Sequence, residues 1–344
     1  MVLREQGVPS LKEVFQDAFR VGAAVSTGLL ASQGEFVAEH YSSITAENEM
    51  KPEEIQPREG VYTFEAADRM FEFAKTNRIG VRGHTLLWHN QTGDWMFRDA
   101  TGGVCSREQL LDRMRQHIEA VVGRYRGQAY AWDVVNEAIE DKADLFFRES
   151  KWLQIAGEDF IDHAFHAAHR ADPEALLFYN DYNETQPGKR EKIYSLVHGL
   201  LDRNVPIHGI GMQGHWSLYG PPAEEIRDAI ERYASLGVRI HVTELDVSMF
   251  QFDDRRTDLK SPTDEMLKLQ EQRYAEIFAL LLEYQNVIDS VTFWGVADNY
   301  TWLDDFPVRG RKNWPFLFDE QMKPKASFHR VVKLAEESRA NQGW

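Results

Sequence analysis

The chain has 344 residues, of which 43% are hydrophobic and 27% charged, and its formal net charge is −16. Its length fits one barrel-sized domain, and a core of that size is stable without disulfides or structural metals. The negative charge repels the phosphates of nucleic acids and of anionic membranes, so neither is an expected partner. Cys105 is the single cysteine, which excludes an intramolecular disulfide and a cysteine-based zinc site.

The sequence shows no segment with the pattern of a targeting peptide or a membrane span. Met1–Gly7 contains no apolar signal-peptide core, and no uncharged apolar run approaches the roughly 18–20 residues that cross a bilayer. We therefore expect a cytoplasmic protein, although a secreted protein whose signal peptide had been removed would look similar.

Short apolar or β-branched runs alternate with longer segments of helical period, which predicts a parallel α/β fold. The candidate strands are Arg20–Ala24, Ser43–Thr45, Gly80–Gly83, Ala131–Val135, Ala175–Tyr179, His208–Met212, Val238–Val242 and Ser290–Trp294. Helical patterns cover Arg107–Arg124, Trp152–Arg170 and Thr263–Tyr284, a helix start follows Pro221 and Pro222, and the polar segment Asp253–Asp264 is typical of a loop.

Eight strands, each followed by a helix, favour a single (β/α)8 TIM barrel over residues 1–344. A doubly wound open sheet is the second possibility. It is weakened because no G-x-G-x-x-G follows the first strand and the chain contains no G-x-x-x-x-G-K-S/T.

Catalytic groups of a parallel barrel lie at the carboxyl ends of its strands, so the residues after each run are the candidates. These ends are rich in acids, amides, histidines and indoles: Glu47, Asn48, Lys51, His84, Trp88, Asn136, Glu137, Asn180, Asp181, Tyr182, Gln213, His215, Glu244, Asp246, Trp294 and Trp302. The ends carry neither a serine nucleophile elbow nor an H-E-x-x-H pair. Acids and amides bind hydroxyl groups and indoles stack on sugar rings, so this composition favours a sugar site.

Glycoside hydrolysis needs two carboxyl groups that flank the scissile bond, and Glu137 and Glu244 are the leading candidates. Each is predicted to end an otherwise apolar strand, and the two strands are expected to face each other across the barrel mouth. A retaining mechanism requires a separation of about 5–5.5 Å, and an inverting one ~6.5–9.5 Å. A single glutamate at a strand end is usually only solvated. The presence of two such glutamates, with Asn136 adjacent to one of them, favours a catalytic role for the pair.

His215 and Asp246 are predicted to support the second glutamate. Glu244 and Asp246 are two residues apart on an extended segment and therefore point to the same side, where His215 could bridge them. Metal ligation by His84, His89 and His215 is an alternative, but the histidines are scattered without a recurring ligand spacing. We therefore expect neither a metal nor another cofactor. Trp88, Trp294 and Trp302 could form a sugar platform or belong to the core.

At these residues the sequence resembles glycoside hydrolase family 10. The matching motifs are Glu47–Lys51, Gly83–His89, Trp132–Ala138, Gly211–His215, Val242–Asp246 and Phe293–Asp298, in the family's order, with Leu317–Asp319 continuing it. Six ordered motifs make the match specific. It implies a TIM barrel and a retaining endo-β-1,4-xylanase acting on xylan or xylo-oligosaccharides.

The resemblance also implies individual roles. Glu137 would be the general acid/base, Glu244 the nucleophile, and Asn136 a donor to the sugar 2-hydroxyl. The remaining implied contacts are Glu47, Asn48, Lys51, His84 and Trp88 on the non-reducing side, Gln213 and His215 around the nucleophile, Trp294 and Trp302 on the sugar face, and Tyr182 on the leaving-group side.

Two stretches bear on how this chain compares with the family. Asn90 precedes Gln91 where the family pattern leads us to expect serine, which is a mild change near the non-reducing side. The basic stretch Arg309–Trp314 resembles the intracellular members, which suggests action on imported xylo-oligosaccharides.

Two rival functions remain open on the sequence. Another retaining β-glycanase of the same superfamily, acting on glucan or mannan, would also carry Asn136 and Glu137. A non-catalytic sugar-binding protein on a decayed enzyme fold is disfavoured because both carboxylates are present.

Overall fold

The computed structural model describes residues 7–341. Positions 1–6, where the sequence predicts no signal-peptide core, lie outside the described residues, as do positions 342–344. Among the described helices, none combines the length and apolar character needed to cross a bilayer.

The strands form a closed parallel barrel. They are β1 Arg20–Val25, β2 Ser43–Ala46, β3 Gly80–Gly83, β4 Ala129–Asn136, β5 Leu176–Asp181, β6 Gly209–Met212, β7 His215–Ser217, β8 Arg239–Ser248 and β9 Ile288–Phe293. Neighbouring strands pair in the order β1 to β6, then β8 and β9, and β9 pairs again with β1. The predicted (β/α)8 barrel is confirmed.

Helices surround the barrel and connect its strands. They are α1 Leu11–Val14, α2 Thr27–His40, α3 Pro52–Ile55, α4 Glu65–Asn77, α5 Arg107–Arg124, α6 Lys151–Ala156, α7 Phe160–Ala171, α8 Pro187–Asp202, α9 Ala223–Ala234, α10 Asp264–Glu283 and α11 Ala326–Asn341. Short 3₁₀ turns cover Asp94–Phe97 and Trp302–Asp304. The loop before α10 ends at Thr263, whose hydroxyl caps the helix by accepting from Met266 N at 3.2 Å.

Three details of the predicted elements are wrong. The helix predicted over Trp152–Arg170 is broken at Gly157, which has a φ of 81° and separates α6 from α7. The strand predicted to end at Val242 continues as β8 to Ser248, so Glu244 lies within the strand and not at its end. An additional short strand, β7, follows β6 after a turn at Gly214, whose φ of 73° suits a residue without a side chain.

The barrel interior contains a buried ion pair. Arg82 on β3 and Asp133 on β4 are each exposed by 1% or less, and the guanidinium binds both carboxylate oxygens. Arg82 also donates from Nε to His241 Nδ1 at 3.3 Å. Burial alone would raise the pKa of Asp133, but the charge of Arg82 and hydrogen bonds from His84 and Arg82 hold it below its ordinary value. The mouth of the barrel therefore lies above a buried ion pair whose two charges offset each other.

Candidate active site

Glu137 lies just beyond β4 in a backbone conformation that few residues other than glycine adopt. Its φ is 58°, and its N–H donates to Asn180 O at 2.9 Å while its carbonyl accepts from Arg148 Nε at 2.9 Å. The side chain is held as well, because Oε1 accepts from Gln213 Nε2 at 3.0 Å and Oε2 from Trp88 Nε1 at 2.8 Å. Four contacts thus determine the position of this carboxyl group.

The environment of Glu137 favours its protonated form. Burial raises the pKa of this carboxyl group, and the negative charge of Asp181 raises it further. The hydrogen bonds from Gln213 and Trp88 oppose that rise, and the charge of Glu244 adds a smaller contribution in the same direction as burial. Burial and Asp181 therefore raise this pKa more than the partner carboxylate Glu244 does.

Glu244 has the opposite electrostatic character. It is 5% exposed, and its Oε1 accepts from Asn180 Nδ2 at 2.9 Å while its Oε2 contacts His215 Nε2 at 3.0 Å. Burial alone would raise the pKa of Glu244, but the hydrogen bond from His215 and the charges of His84 and His215 bring it below its ordinary value. One carboxyl group of the pair is thus suited to hold a proton and the other to be an anion.

His215 lies between two carboxylates. Its Nδ1 is 3.0 Å from Asp246 Oδ2, and its Nε2 contacts Glu244, which is the bridging geometry expected from the sequence. Burial would lower the pKa of His215, but Asp246 and Glu244 raise it well above its ordinary value, so both ring nitrogens carry protons and donate. Trp302 Nε1 donates to the same Asp246 oxygen at 2.8 Å, which fixes the carboxylate that orients His215.

An amide network joins the two glutamates. Asn180 Nδ2 and Gln213 Nε2 are identified as the nitrogen ends of their amides because each contacts a carboxylate, Glu244 and Glu137 respectively. Both nitrogens also approach one atom of Asn136, at 2.9 and 3.3 Å, so that atom is its oxygen. Asn136 therefore keeps its Nδ2 available to donate to a ligand.

His84 is buried deep in the pocket. It is 2% exposed, its Nδ1 is 2.8 Å from Asp133 Oδ2, and the same nitrogen is 3.9 Å from Glu244 Oε1. The ring of Trp294 meets His84 edge-on at a centroid distance of 5.3 Å and is itself 7% exposed. Both residues thus form the floor of the pocket next to Glu244.

A second group of polar residues lies at the ends of β2 and β3. Lys51 Nζ donates to Asn48 Oδ1 at 2.8 Å and to Gln91 Oε1 at 2.9 Å, and lies 4.9 Å from the ring centroid of Trp88. Glu47 accepts a hydrogen bond from Tyr300. Sequence patterns indicated no role for Gln91 or Tyr300, because their partners lie 40 and 253 positions away along the chain.

Tyr182 lies on the other side of Glu137. Its hydroxyl donates to Asp141 Oδ2 at 2.7 Å and accepts from Arg148 Nη2 at 2.7 Å, and Lys189 Nζ lies 3.7 Å from its ring centroid. Arg148 therefore connects Tyr182 with the carbonyl of Glu137. No sequence signal indicated Arg148, which lies in the irregular segment between β4 and α6.

Taken together, the pocket offers paired carboxyl groups whose pKa values are shifted in opposite directions, amide donors and partly exposed indoles. Retaining hydrolysis of a glycoside requires an acid and a nucleophile of this kind. Within residues 7–341 no group of three or more histidine, cysteine or acidic side chains is placed to hold a metal ion.

The chain matches known proteins over nearly its whole length. The model of glycosyl hydrolase family 10 matches residues 10–334. An endo-1,4-beta-xylanase B of Paenibacillus barcinonensis is 64% identical over 94% of this chain and 98% of its own length. An endo-1,4-beta-xylanase of Geobacillus stearothermophilus is 58% identical over 95% of this chain and 99% of its own.

Solved structures agree in fold. The crystal structure of a xylanase from Paenibacillus barcinonensis complexed with a conduramine derivative superposes with a TM-score of 0.94 at 63% identity, covering 95% of this chain and 99% of that one. A mutant structure in complex with xylotriose gives a TM-score of 0.92 at 46% identity, covering 94% of this chain and 99% of that one.

Proposed function

The chain belongs to glycosyl hydrolase family 10, and from that membership we propose that it is a retaining endo-1,4-β-xylanase that cleaves internal bonds of xylan or xylo-oligosaccharides. The roles of the two glutamates are assigned from the opposite shifts of their pKa values. Glu137 is held where its pKa is raised, and Glu244 where its pKa is lowered. A single family model spans residues 10–334, which supports one catalytic domain.

In the first step Glu244 attacks the anomeric carbon while Glu137 gives its proton to the leaving glycosidic oxygen. The bond to the leaving sugar breaks and a covalent glycosyl-enzyme forms on Glu244. In the second step Glu137, now a carboxylate, takes a proton from water as that water attacks the anomeric carbon, and Glu244 is released. The loss of the Glu244 charge in the intermediate lowers the pKa of Glu137, so Glu137 is a carboxylate when it must accept the proton from water.

The roles of the other residues follow from their positions. Asn136 has a free amide nitrogen beside both glutamates and donates to the 2-hydroxyl of the sugar being cleaved. His215 and Asp246 keep Glu244 anionic and correctly oriented, and Gln213 orients Glu137. We assign the remaining substrate contacts as Glu47, Asn48, Lys51, His84 and Trp88 on the non-reducing side, Trp294 and Trp302 on the sugar face, and Tyr182 on the leaving-group side.

We further propose that the enzyme acts inside the cell on imported xylo-oligosaccharides. The support is the basic stretch Arg309–Trp314, which resembles that of intracellular family members. In the structure Arg311 is buried against Phe250, with 4.1 Å between guanidinium and ring centroid, and Lys312 Nζ pairs with Asp304 at 2.9 Å. The stretch therefore packs on the barrel. Fractionation of the native organism, with activity in the medium and not in the cell, would contradict this placement.

The assignment of the glutamates is tested with Glu137→Ala and an activated aryl xyloside. Such a leaving group departs without acid assistance, so we expect the glycosyl-enzyme to accumulate and added azide to restore turnover with formation of the β-glycosyl azide. Glu265→Ala, which changes an exposed glutamate of α10, is the matched control and should respond to azide no more than the wild type. Recovery of the α-azide would indicate inversion and contradict the assigned roles.

The choice of sugar is tested separately. Initial rates on xylo- and cello-oligosaccharides of equal length compare the xylanase assignment directly with a glucan-cleaving alternative. Faster cleavage of the cello series would overturn the xylanase assignment and leave the roles of the two glutamates standing.

A further inference from the structure

Tyr300 makes a hydrogen bond that links two loops of the barrel mouth across the end of β1. Its hydroxyl donates to Glu47 Oε1 at 3.0 Å, and Glu47 follows β2 whereas Tyr300 lies on the loop after β9. Glu47 is 8% exposed and Tyr300 is 49% exposed, so a half-exposed ring places its polar end on a nearly buried carboxylate.

The loop that carries Tyr300 is firmly attached to the barrel. Two residues earlier, Asp298 is buried, pairs with Lys325 Nζ at 2.7 Å and accepts from Phe316 N at 2.8 Å. The backbone N–H of Asp298 donates to Phe318 O at 3.0 Å. One residue later, the hydroxyl of Thr301 accepts from Leu303 N at 3.2 Å and starts a 3₁₀ turn. The tyrosine is therefore presented from a fixed backbone.

Glu47 is fixed at its backbone but needs a partner for its carboxylate. Its N–H donates to Val25 O at 2.9 Å, which sets the Cα position but does not orient the carboxylate. Burial raises the pKa of Glu47, and the hydrogen bond from Tyr300 and the charge of Lys51 oppose that rise. A donor on Oε1 orients the carboxylate and leaves Oε2 for a second donor, such as a sugar hydroxyl.

We propose that Tyr300 is a positioning residue that orients Glu47 for the second sugar on the non-reducing side and so sets the enzyme's preference for substrates that fill this subsite. The inference rests on the non-reducing-side role proposed above for Glu47. It places Glu47 at the second sugar because its side-chain partner Tyr300 and the charged groups that shift its pKa, Lys51 and Glu49, do not include either catalytic glutamate. It adds a residue from a different loop, and it predicts a selectivity that depends on one phenolic hydroxyl.

The test compares two substrates with the same aryl leaving group. An aryl β-xyloside fills only the sugar site next to the glutamates, whereas an aryl β-xylobioside also reaches the second site. Tyr300→Phe removes the hydroxyl and keeps the ring. We expect kcat/KM for the xylobioside to fall about tenfold, the scale of one hydrogen bond to a charged group, and kcat/KM for the xyloside to change by less than about twofold.

Two further variants make the result specific. Tyr219→Phe changes another tyrosine of similar exposure, 50%, and should leave kcat/KM unchanged for both substrates. In a Glu47→Ala background, Tyr300→Phe should cause no additional loss on the xylobioside, because the hydroxyl acts through Glu47. Equal unfolding midpoints for wild type and Tyr300→Phe establish that the fold is intact.

The possible failures are distinguishable. If Glu47→Ala lowers the xylobioside-to-xyloside ratio but Tyr300→Phe leaves it unchanged, the role of Tyr300 is refuted and that of Glu47 stands. If Tyr300→Phe lowers kcat/KM equally for both substrates, the tyrosine has a general structural role and the proposal is overturned. If Glu47→Ala itself leaves the ratio unchanged, the assignment of Glu47 fails and the inference fails with it.

Discussion

Replacing His215 with alanine removes the imidazolium that lies between Glu244 and Asp246. Glu244 is 5% exposed, so water does not readily replace the lost donor at Oε2, and Asn180 remains on Oε1. A hydrogen bond to a charged group contributes about 1.5–3 kcal/mol. Since 1.36 kcal/mol corresponds to a factor of ten in rate, we expect kcat/KM of His215→Ala to be about tenfold to about 150-fold below that of the wild type. The pKa of Glu244 should also rise, because a hydrogen-bond donor and a positive charge that lowered it are gone.

The assay is kcat/KM for an aryl xylobioside measured across pH. We expect the acid limb of the profile to move to higher pH, because Glu244 must be an anion in the free enzyme and now ionises later. His198→Ala is the control, since that exposed histidine lies on α8 and pairs only with Asp202 at 3.0 Å among the described ion pairs. A loss below about threefold together with an unmoved acid limb would show that His215 does not stabilise the anion of Glu244.

Two further predictions concern Glu137. Asp181→Asn removes a negative charge that raises the pKa of Glu137. This pKa should therefore fall, and the alkaline limb of the kcat/KM profile should move to lower pH. An alkaline limb that stays in place would show that Asp181 does not affect the pKa of Glu137. Arg148→Met removes the donor to the Glu137 carbonyl and should lower activity about tenfold on xylo-oligosaccharides, whose poor leaving group needs the acid, but by less than about twofold on a dinitrophenyl xylobioside. Equal losses on both substrates would contradict a role in acid catalysis.

The sequence predicts the barrel well because the spacing of apolar residues along the chain indicates which side chains are buried. Strands such as Gly80–Gly83 and helices such as Arg107–Arg124 have the predicted bounds, since each has one consistent pattern of apolar residues. The pattern of apolar residues does not predict where an element ends when the backbone conformation or the burial of polar residues sets that end. Gly157 divides a segment of continuous helical period by adopting a positive φ, and β8 continues past Val242 because its later residues are buried even though several are polar.

The sequence also brings the right kinds of residue to the site but does not give their partners. Position on an extended strand predicts that His215 can reach both Glu244 and Asp246, because side chains two apart point the same way. Neither the donation from Trp88 to Glu137 nor the link from Arg148 could be derived, since both depend on where irregular loops pass the barrel mouth. The contact of His84 with Asp133, which is itself paired with Arg82, was likewise not indicated by the sequence.

The proposed retaining mechanism requires Glu244 to become covalently attached to the sugar during turnover. The most direct test is to inactivate the enzyme with a 2-fluoro aryl xylobioside, whose intermediate is hydrolysed slowly, and to map the labelled peptide by mass spectrometry. We expect one sugar per chain on Glu244, and no label in Glu244→Ala. A label on any other residue, or in the Glu244→Ala protein, would contradict the assignment of the nucleophile.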